Sequence, residues 1–147
     1  MTELGHGLFA VDHHEEAVSV REAELSMERR LGAHEYNILV VQNNLANSYD
    51  FLGRNEQALH VRQEVYSGRL KLLGKAHFQT MSGACNYAIS LKEMSRHEEA
   101  KSLMDETIPI AQRILGQSDE TTIRMRRTYA HALYGNPGAS PDDLREA

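Results

Sequence analysis

Hydrophobic residues recur at helical spacing through the centre of the chain, from Asn37 to Gly74. The first half of this stretch places apolar residues at steps of three and four: Ile38, Val41, Leu45, Tyr49 and Leu52. Gly53 follows, where a left-handed residue commonly ends a helix. A second stripe comes after it: Ala58, Val61, Val65 and Leu72. The two stripes predict a helix–turn–helix hairpin that Leu73-Gly74 closes.

The same marks return along the chain at a fixed interval. Leu-Gly dipeptides begin at residues 31, 73 and 115, and alanines stand at 46, 88 and 130, so both sets are spaced by 42 residues. Ala58 and Ala100, in the second helices of two hairpins, share this interval. Small residues in both helices suit a close helix crossing. A period of this length indicates a stacked array of helical hairpins.

Three segments of the second hairpin resemble a known repeat family: Asn43-Asn44-Leu45-Ala46, Gly53-Arg54-Asn55-Glu56-Gln57-Ala58 and Leu73-Gly74-Lys75-Ala76-His77. They are similar to the tetratricopeptide repeats of kinesin light chains and their relatives, which run N-N-L-A, G-x-x-x-E-A and L-G-x-x-H. The resemblance covers nearly the whole chain. It implies an all-α fold, a right-handed α-solenoid of stacked helix–turn–helix hairpins, with about seven helices or helix parts.

The period divides the chain, residues 1–147, into one array of four repeats. We expect a partial repeat at 1–32 (half of a helix A, then a helix B), complete repeats at 33–74 and 75–116, and a partial repeat at 117–147 (a helix A and the start of a helix B). Both ends of the array are therefore incomplete.

Local signals predict how several helices begin and end. Residues 1–10 read as the end of a first helix A, and Asp12-His13-His14-Glu15 as a capping box that starts helix B. The residues expected to face inward in that helix B are Ala17, Val20, Met27 and Leu31. Ser95-Arg96-His97-Glu98 reads as a second capping box in place of the glycine turn. Pro109 is expected to kink its helix or to shift its register locally, and Ser140-Pro141 to start the last helix.

Composition and charge narrow the function classes. The formal net charge is −5 and no basic run is present, which argues against nucleic acid as a partner. No apolar stretch approaches the ~18 residues of a membrane span, and the N-terminal segment lacks the apolar core of a secretory signal. The single cysteine, Cys85, cannot form an internal disulfide, so we expect a reducing, cytoplasmic setting.

The sequence offers little support for catalysis, cofactor binding or a metal site. Eight histidines are present, but His13 and His14 are adjacent, and neighbouring side chains on a helix point about 100° apart rather than chelating together. Cys85 lies in a helix A without a nearby histidine–carboxylate arrangement, which favours a small packed residue over a nucleophile. We expect no cofactor and no enzyme activity.

The resemblance implies where a ligand would bind. In tetratricopeptide arrays the A helices line a concave wall that receives a peptide or partner segment. The positions that correspond to this wall are Asn43, Asn44 and Asn47 in the second repeat; Asn86, Ile89 and Lys92 in the third; and Arg124, Arg127 and His131 in the fourth. Asparagine amides both donate to and accept from an extended backbone, and arginines clamp carboxylates.

Two functions remain open at this point. One is a protein-interaction scaffold that binds a peptide in the groove, with acidic character near Arg124 and Arg127, although Asp50 and Glu93 reduce the positive field. The alternative is a structural module that stacks head to tail through its incomplete terminal repeats, as a homo-oligomer.

Overall fold

The computed structural model describes residues 2–135, with side chains from His13 onward. Over this range the chain forms six α-helices and no strand: α1 (Thr2–Leu31), α2 (Glu35–Phe51), α3 (Asn55–Leu73), α4 (Phe78–Glu93), α5 (His97–Ile114) and α6 (Glu120–Gly135). The expected helix start at Ser140-Pro141 lies outside the described residues.

The chain divides into two compact units, Met1–Gly68 (unit 1) and Arg69–Ala147 (unit 2). In unit 1, α1 packs on α2. In unit 2, α5 packs on both α4 and α6, and α4 also contacts α6. Each unit therefore builds its own core from helices that are neighbours along the chain.

The predicted break near the N-terminus is wrong. Helix α1 runs without interruption through Asp12-His13-His14-Glu15, so no capping box starts a helix there. The inward stripe predicted for this helix is wrong as well: Val20, Met27 and Leu31 are 65%, 57% and 76% exposed. The buried side chains are Val18 and Leu25, which face α2. Because no first helix folds back within α1, the face meant for that partner stays open.

The core of unit 1 follows the predicted stripe of α2. Val41, Leu45 and Tyr49 are buried together with Ala58 of α3, and Ile38, Leu52 and Val61 pack against them. Val65 of α3 is also buried, but Leu72 is 44% exposed, so its predicted inward position is wrong. A close approach that the stripe did not reveal joins α2 and α3. A Cβ added at Gly68 would lie 2.6 Å from Leu39 Cδ2, so the glycine makes room for that leucine.

The turns after α2 and α4 have the same backbone geometry, 42 residues apart. Gly53 donates to the Asp50 carbonyl and Arg54 to Tyr49, while Ser95 donates to Lys92 and Arg96 to Leu91. Gly53 has φ +70° and Ser95 has φ +59°. The predicted capping box at Ser95 is therefore wrong. Arg96 is the N-cap of α5, without a side-chain cap, and Ser95 occupies the left-handed position of the glycine.

The core of unit 2 contains the largest fully buried side chains of the described region, among them Met81, Leu91, Met104, Met125 and Leu133. Ala88 and Ala100 are completely buried, as are Ala46 and Ala58 in unit 1, which agrees with close crossings at these alanines. Helix α5 continues through Pro109. Pro109 is exposed, so water can reach the carbonyl of Asp105, which loses its helical donor there.

Two other helices begin at side-chain caps. The ring Nδ1 of His77 accepts a hydrogen bond from the Gln79 amide at 3.2 Å and caps α4. Asp119 Oδ1 accepts from the Thr121 amide at 2.8 Å and caps α6. Both caps fix where an A helix begins, and so which of its side chains face the core.

Candidate functional site

The exposed face shared by α4 and α6 carries a direct contact between predicted site residues of different repeats. Arg124 Nη2 donates to Asn86 Oδ1 at 3.2 Å. Arg124 is exposed and Asn86 half-buried. The amide thus holds the guanidinium at one of its donors. The pair is a polar rung that joins two successive A helices in unit 2.

The other predicted residues of unit 2 lie on the same two helices. Ile89 and Lys92 are half-buried on α4, and Arg127 and His131 are exposed on α6. Thr128, one turn beyond Arg124, is buried, and its hydroxyl donates to the Arg124 carbonyl at 3.0 Å. Thr128 therefore belongs to the helix packing rather than to the ligand-facing surface.

A shallow pocket of about 220 Å³ lies along a different stripe of α6, with Ile123, Arg126, Arg127 and Ala130 in its lining. Ile123 is 44% exposed and Tyr134, one turn beyond Ala130, is 69% exposed. Arg127 contributes to this pocket, which the sequence analysis did not anticipate. The signal that could have revealed it is the Ile123–Ala130–Tyr134 spacing, an apolar stripe with no later helix to cover it within the described residues.

The predicted residues of unit 1 are only partly available to a ligand. Asn47 Oδ1 accepts a hydrogen bond from Arg62 Nη2 at 3.4 Å, and the same guanidinium forms an ion pair with Asp50. Arg62 is 8% exposed, so both α2 side chains are engaged by a nearly buried α3 arginine, although Asn47 itself is exposed. Asn43 is half-buried and Asn44 exposed. Sequence reasoning missed Arg62.

Two more polar contacts stiffen unit 1 rather than forming a ligand site. Arg54 donates to both carboxylate oxygens of Glu15, at 3.1 and 2.9 Å. The Tyr49 hydroxyl donates to Glu22 at 2.6 Å. Burial, this hydrogen bond and the negative charge of Glu22 raise the pKa of Tyr49 to about 12, against a smaller opposing effect of Arg54. Both contacts tie α1 to α2 and to the turn that follows it.

A second pocket of unit 2, about 270 Å³, opens between α4 and α5, where Tyr87, Leu103, Glu99 and Glu106 contribute to its lining. Burial raises the pKa of Tyr87. The hydrogen bond from Arg96 lowers the pKa of Glu99, and Glu106 lies 3.8 Å from the Lys75 ammonium. Both carboxylates of this pocket therefore lie beside a cation.

The described part of the chain shows neither a metal-binding cluster nor a membrane-spanning helix. No group of three or more His, Cys, Asp or Glu side chains there is arranged to hold a metal ion. Cys85 is completely buried, as a packed residue would be. None of the helices in that part is long and apolar enough to cross a bilayer.

Comparison with known proteins then identifies the repeat. A family model for the tetratricopeptide repeat matches residues 38–79 and 80–120. The chain belongs to the tetratricopeptide repeat family. This fold is a general scaffold for protein–protein interaction, and its members are typically not enzymes. The predicted fold class, an all-α solenoid of helical hairpins, is confirmed.

Solved structures show the same fold at low sequence identity. A Podosopora anserina protein with kinesin-light-chain-type, nearly identical TPR-like repeats aligns with 98% of this chain and 68% of its own, at 19% identity and a TM-score of 0.76. A variant of it gives 0.77 at the same identity and coverage. BtubC (BKLC) from P. vanneervenii aligns with 91% of this chain and 62% of its own, at 17% identity and a TM-score of 0.65. The resemblance to kinesin-light-chain-type repeats is thus confirmed for the fold. No curated protein matches the chain.

Proposed function

We propose that this tetratricopeptide repeat protein is a non-enzymatic scaffold that binds an acidic peptide on the exposed face of α4 and α6. The observation that carries the proposal is the Asn86–Arg124 rung, which holds a guanidinium in place on the solvent side of two adjacent A helices. A guanidinium that is already positioned loses less side-chain entropy when it binds a carboxylate.

The local charge supports an acidic ligand. Helix α6 carries three arginines against one glutamate, in a chain whose net charge is −5. Lys92 adds a cation on α4, while exposed Glu93 opposes it at the end of that helix. The field is therefore most positive along α6, and a peptide with Asp or Glu there gains both steering and a charge-assisted hydrogen bond.

The site residues take distinct roles in this proposal. Arg124 clamps a ligand carboxylate, Arg127 contributes charge one turn further on, and His131 contributes a ring donor two turns further on. Ile89 offers a half-buried apolar contact, and Lys92 a second cation. In unit 1, Asn43 and Asn44 are candidate contacts for a ligand's backbone, whereas Asn47 already accepts from Arg62. A cytoplasmic location is part of the same proposal, since a lone buried cysteine suits a reducing compartment.

The test is a binding titration with acidic, neutral and basic peptide pools of equal length. We expect the wild type to prefer the acidic pool and to lose affinity as salt rises, because exposed charges are screened over about 8 Å at physiological ionic strength. Arg124→Ala should weaken acidic-pool binding about fivefold, which corresponds to about 1 kcal/mol for an exposed charge-assisted contact.

Arg113→Ala is the matched control, because Arg113 is an exposed arginine on α5, away from the Asn86 rung. It changes the net charge equally and should leave binding unchanged. Equal weakening by both variants would mean that only net charge matters. Binding that ignores salt, or that survives Arg124→Ala together with Arg127→Ala, would contradict this assignment of the site.

A further inference from the structure

Helix α6 presents a stripe that is buried in the preceding A helix. In α4 the corresponding positions, 42 residues earlier, are at most 1% exposed: Met81, Ala84, Cys85 and Ala88. Helix α5, the second helix of that hairpin, packs on α4. On α6 the same stripe holds Ile123, Arg126, Arg127 and Ala130, none of which is buried. Among the described residues, the stripe thus has the character of a first helix that no second helix covers.

Helix α1 presents the opposite case. Aligned with the second helix α3, Ala17 takes the place of Ala58. A second helix buries this side against its own first helix, but α1 is continuous and leaves it open. Exposed Val20, Met27 and Leu31 form an apolar line on this side, with exposed Glu24 among them. The face of α1 that meets α2, around Val18 and Leu25, is separate.

We propose that copies of the chain associate head to tail, with α1 of one copy packing on α6 of the next as the second helix of an intermolecular hairpin. Ala17 of one copy would then meet Ala130 of the other. The two hairpins within the chain have the same arrangement, and their alanines, Ala46 with Ala58 and Ala88 with Ala100, are completely buried. The open positions therefore match in residue size as well as in register.

Charge favours the same pairing. The described side chains of α1, from His13 to Leu31, include five glutamates and three arginines, whereas α6 has three arginines and one glutamate. The basic flank of the α6 stripe, Arg126 and Arg127, would meet Glu24, the carboxylate within the apolar line of α1. Two α6 stripes facing each other would instead bring like charges together. Electrostatics thus selects the head-to-tail pairing over a symmetric one, and such a heterologous contact can continue into longer assemblies.

This surface differs from the proposed peptide site. At about 100° per residue, Ala130 lies roughly 120° around α6 from Arg124. Arg127 stands between the two, so it is left out of the variants that test association.

The experiment is sedimentation velocity on the full chain over a wide concentration range, with one variant at each surface. Met27→Arg brings a cation to α1 that would face Arg126 and Arg127. Ala130→Glu adds volume at the expected crossing and a charge that repels Glu24. We expect the wild type to grow with concentration and each variant to stay monomeric. Each variant keeps one intact surface, so their equimolar mixture should form a dimer and nothing larger.

Ser26→Arg is the matched control, because Ser26 is exposed on another side of α1. It adds the same charge as Met27→Arg and should leave association unchanged, and circular dichroism verifies that every variant stays folded. A wild type that is monomeric at every concentration, as when residues 136–147 cover α6 in cis, would overturn the proposal. So would a mixture of the two variants that fails to pair, or a wild-type dimer that never grows further.

Discussion

Ser95 stands in a backbone conformation that favours glycine, and replacing it should stabilise the protein. Its φ of +59° is close to the +70° of Gly53, the residue at the same position one repeat earlier. The hydrogen bonds around the two turns correspond one to one. We therefore expect Ser95→Gly to keep the turn and relieve its strain.

The magnitude follows from two opposing effects. A residue with a Cβ pays about 1–2 kcal/mol to adopt the left-handed region. Glycine recovers that cost but loses about 0.5–1 kcal/mol through its larger unfolded-state entropy. Because Ser95 is exposed, little packing is lost with its side chain. The net expectation is that Ser95→Gly raises the free energy of unfolding by about 0.5–1 kcal/mol.

The assay is urea unfolding followed by far-ultraviolet circular dichroism, with the slope m compared between variants so that only the midpoint reports stability. Gly53→Ser is the matched counterpart. A Cβ added at Gly53 meets no atom within 4 Å, so the variant adds backbone strain without a clash and should lose a similar amount. If Ser95→Gly fails to stabilise while Gly53→Ser destabilises, the equivalence of the two turns is refuted.

Two further predictions concern the helix crossings and a buried tyrosine. Ala88→Leu should lower the free energy of unfolding by about 1–3 kcal/mol, because a fully buried crossing cannot take the added volume without strain. Ala46→Leu should have the same effect in the same urea assay. Ala23→Leu is the control, since Ala23 lies on the exposed surface of α1, and it should leave the free energy of unfolding unchanged. The ionisation of Tyr49, isolated as the difference between the ultraviolet pH titrations of wild type and Tyr49→Phe, should centre near pH 12, and Glu22→Gln should lower it because an anion that raises the pKa is removed. Since the folded-state pKa lies above the usual 10.0, the stability contributed by Tyr49 is complete below pH 10 and is lost as the pH rises toward 12; titration near pH 10 in the folded wild type would contradict this.

The 42-residue period predicts the features of the fold that recur from one repeat to the next. The stripe of α2, the alanines at the crossings and the close of each hairpin at Leu-Gly all rest on side chains that recur every 42 residues. Gly32, Gly53, Gly74 and Gly116 all have positive φ, as the turns require. The sequence did not reveal the left-handed conformation of Ser95, because a serine followed three residues later by Glu98 also fits a capping box. The backbone shows instead that the turn at Ser95 has the geometry of the turn at Gly53.

The first helix shows why an isolated signal fails where the repeat is incomplete. Asp12 and Glu15 have the spacing of a capping box, but a capping box only stabilises a helix start that tertiary packing already requires. In α1 the chain continues helically, and Glu15 serves instead as the bidentate partner of Arg54. The face of α1 that was expected to be inward, from the alignment of Ala17 with Ala58, is therefore exposed.

Which predicted site residues pack against their own hairpin could not be read from the sequence, because the two complete repeats differ at the position that decides it. Position 104 of the third repeat is a buried methionine, whereas its counterpart 42 residues earlier is Arg62, nearly as buried. A buried guanidinium needs an anionic or polar partner, and the α2 side chains within reach are Asp50 and Asn47. In the third repeat Lys92 and Ile89 replace those two, and Met104 cannot form such a pair. The prediction that asparagines bind the ligand is therefore weaker in unit 1. In unit 2 the cations of α4 and α6 lie outside the hairpin, where a ligand can reach them.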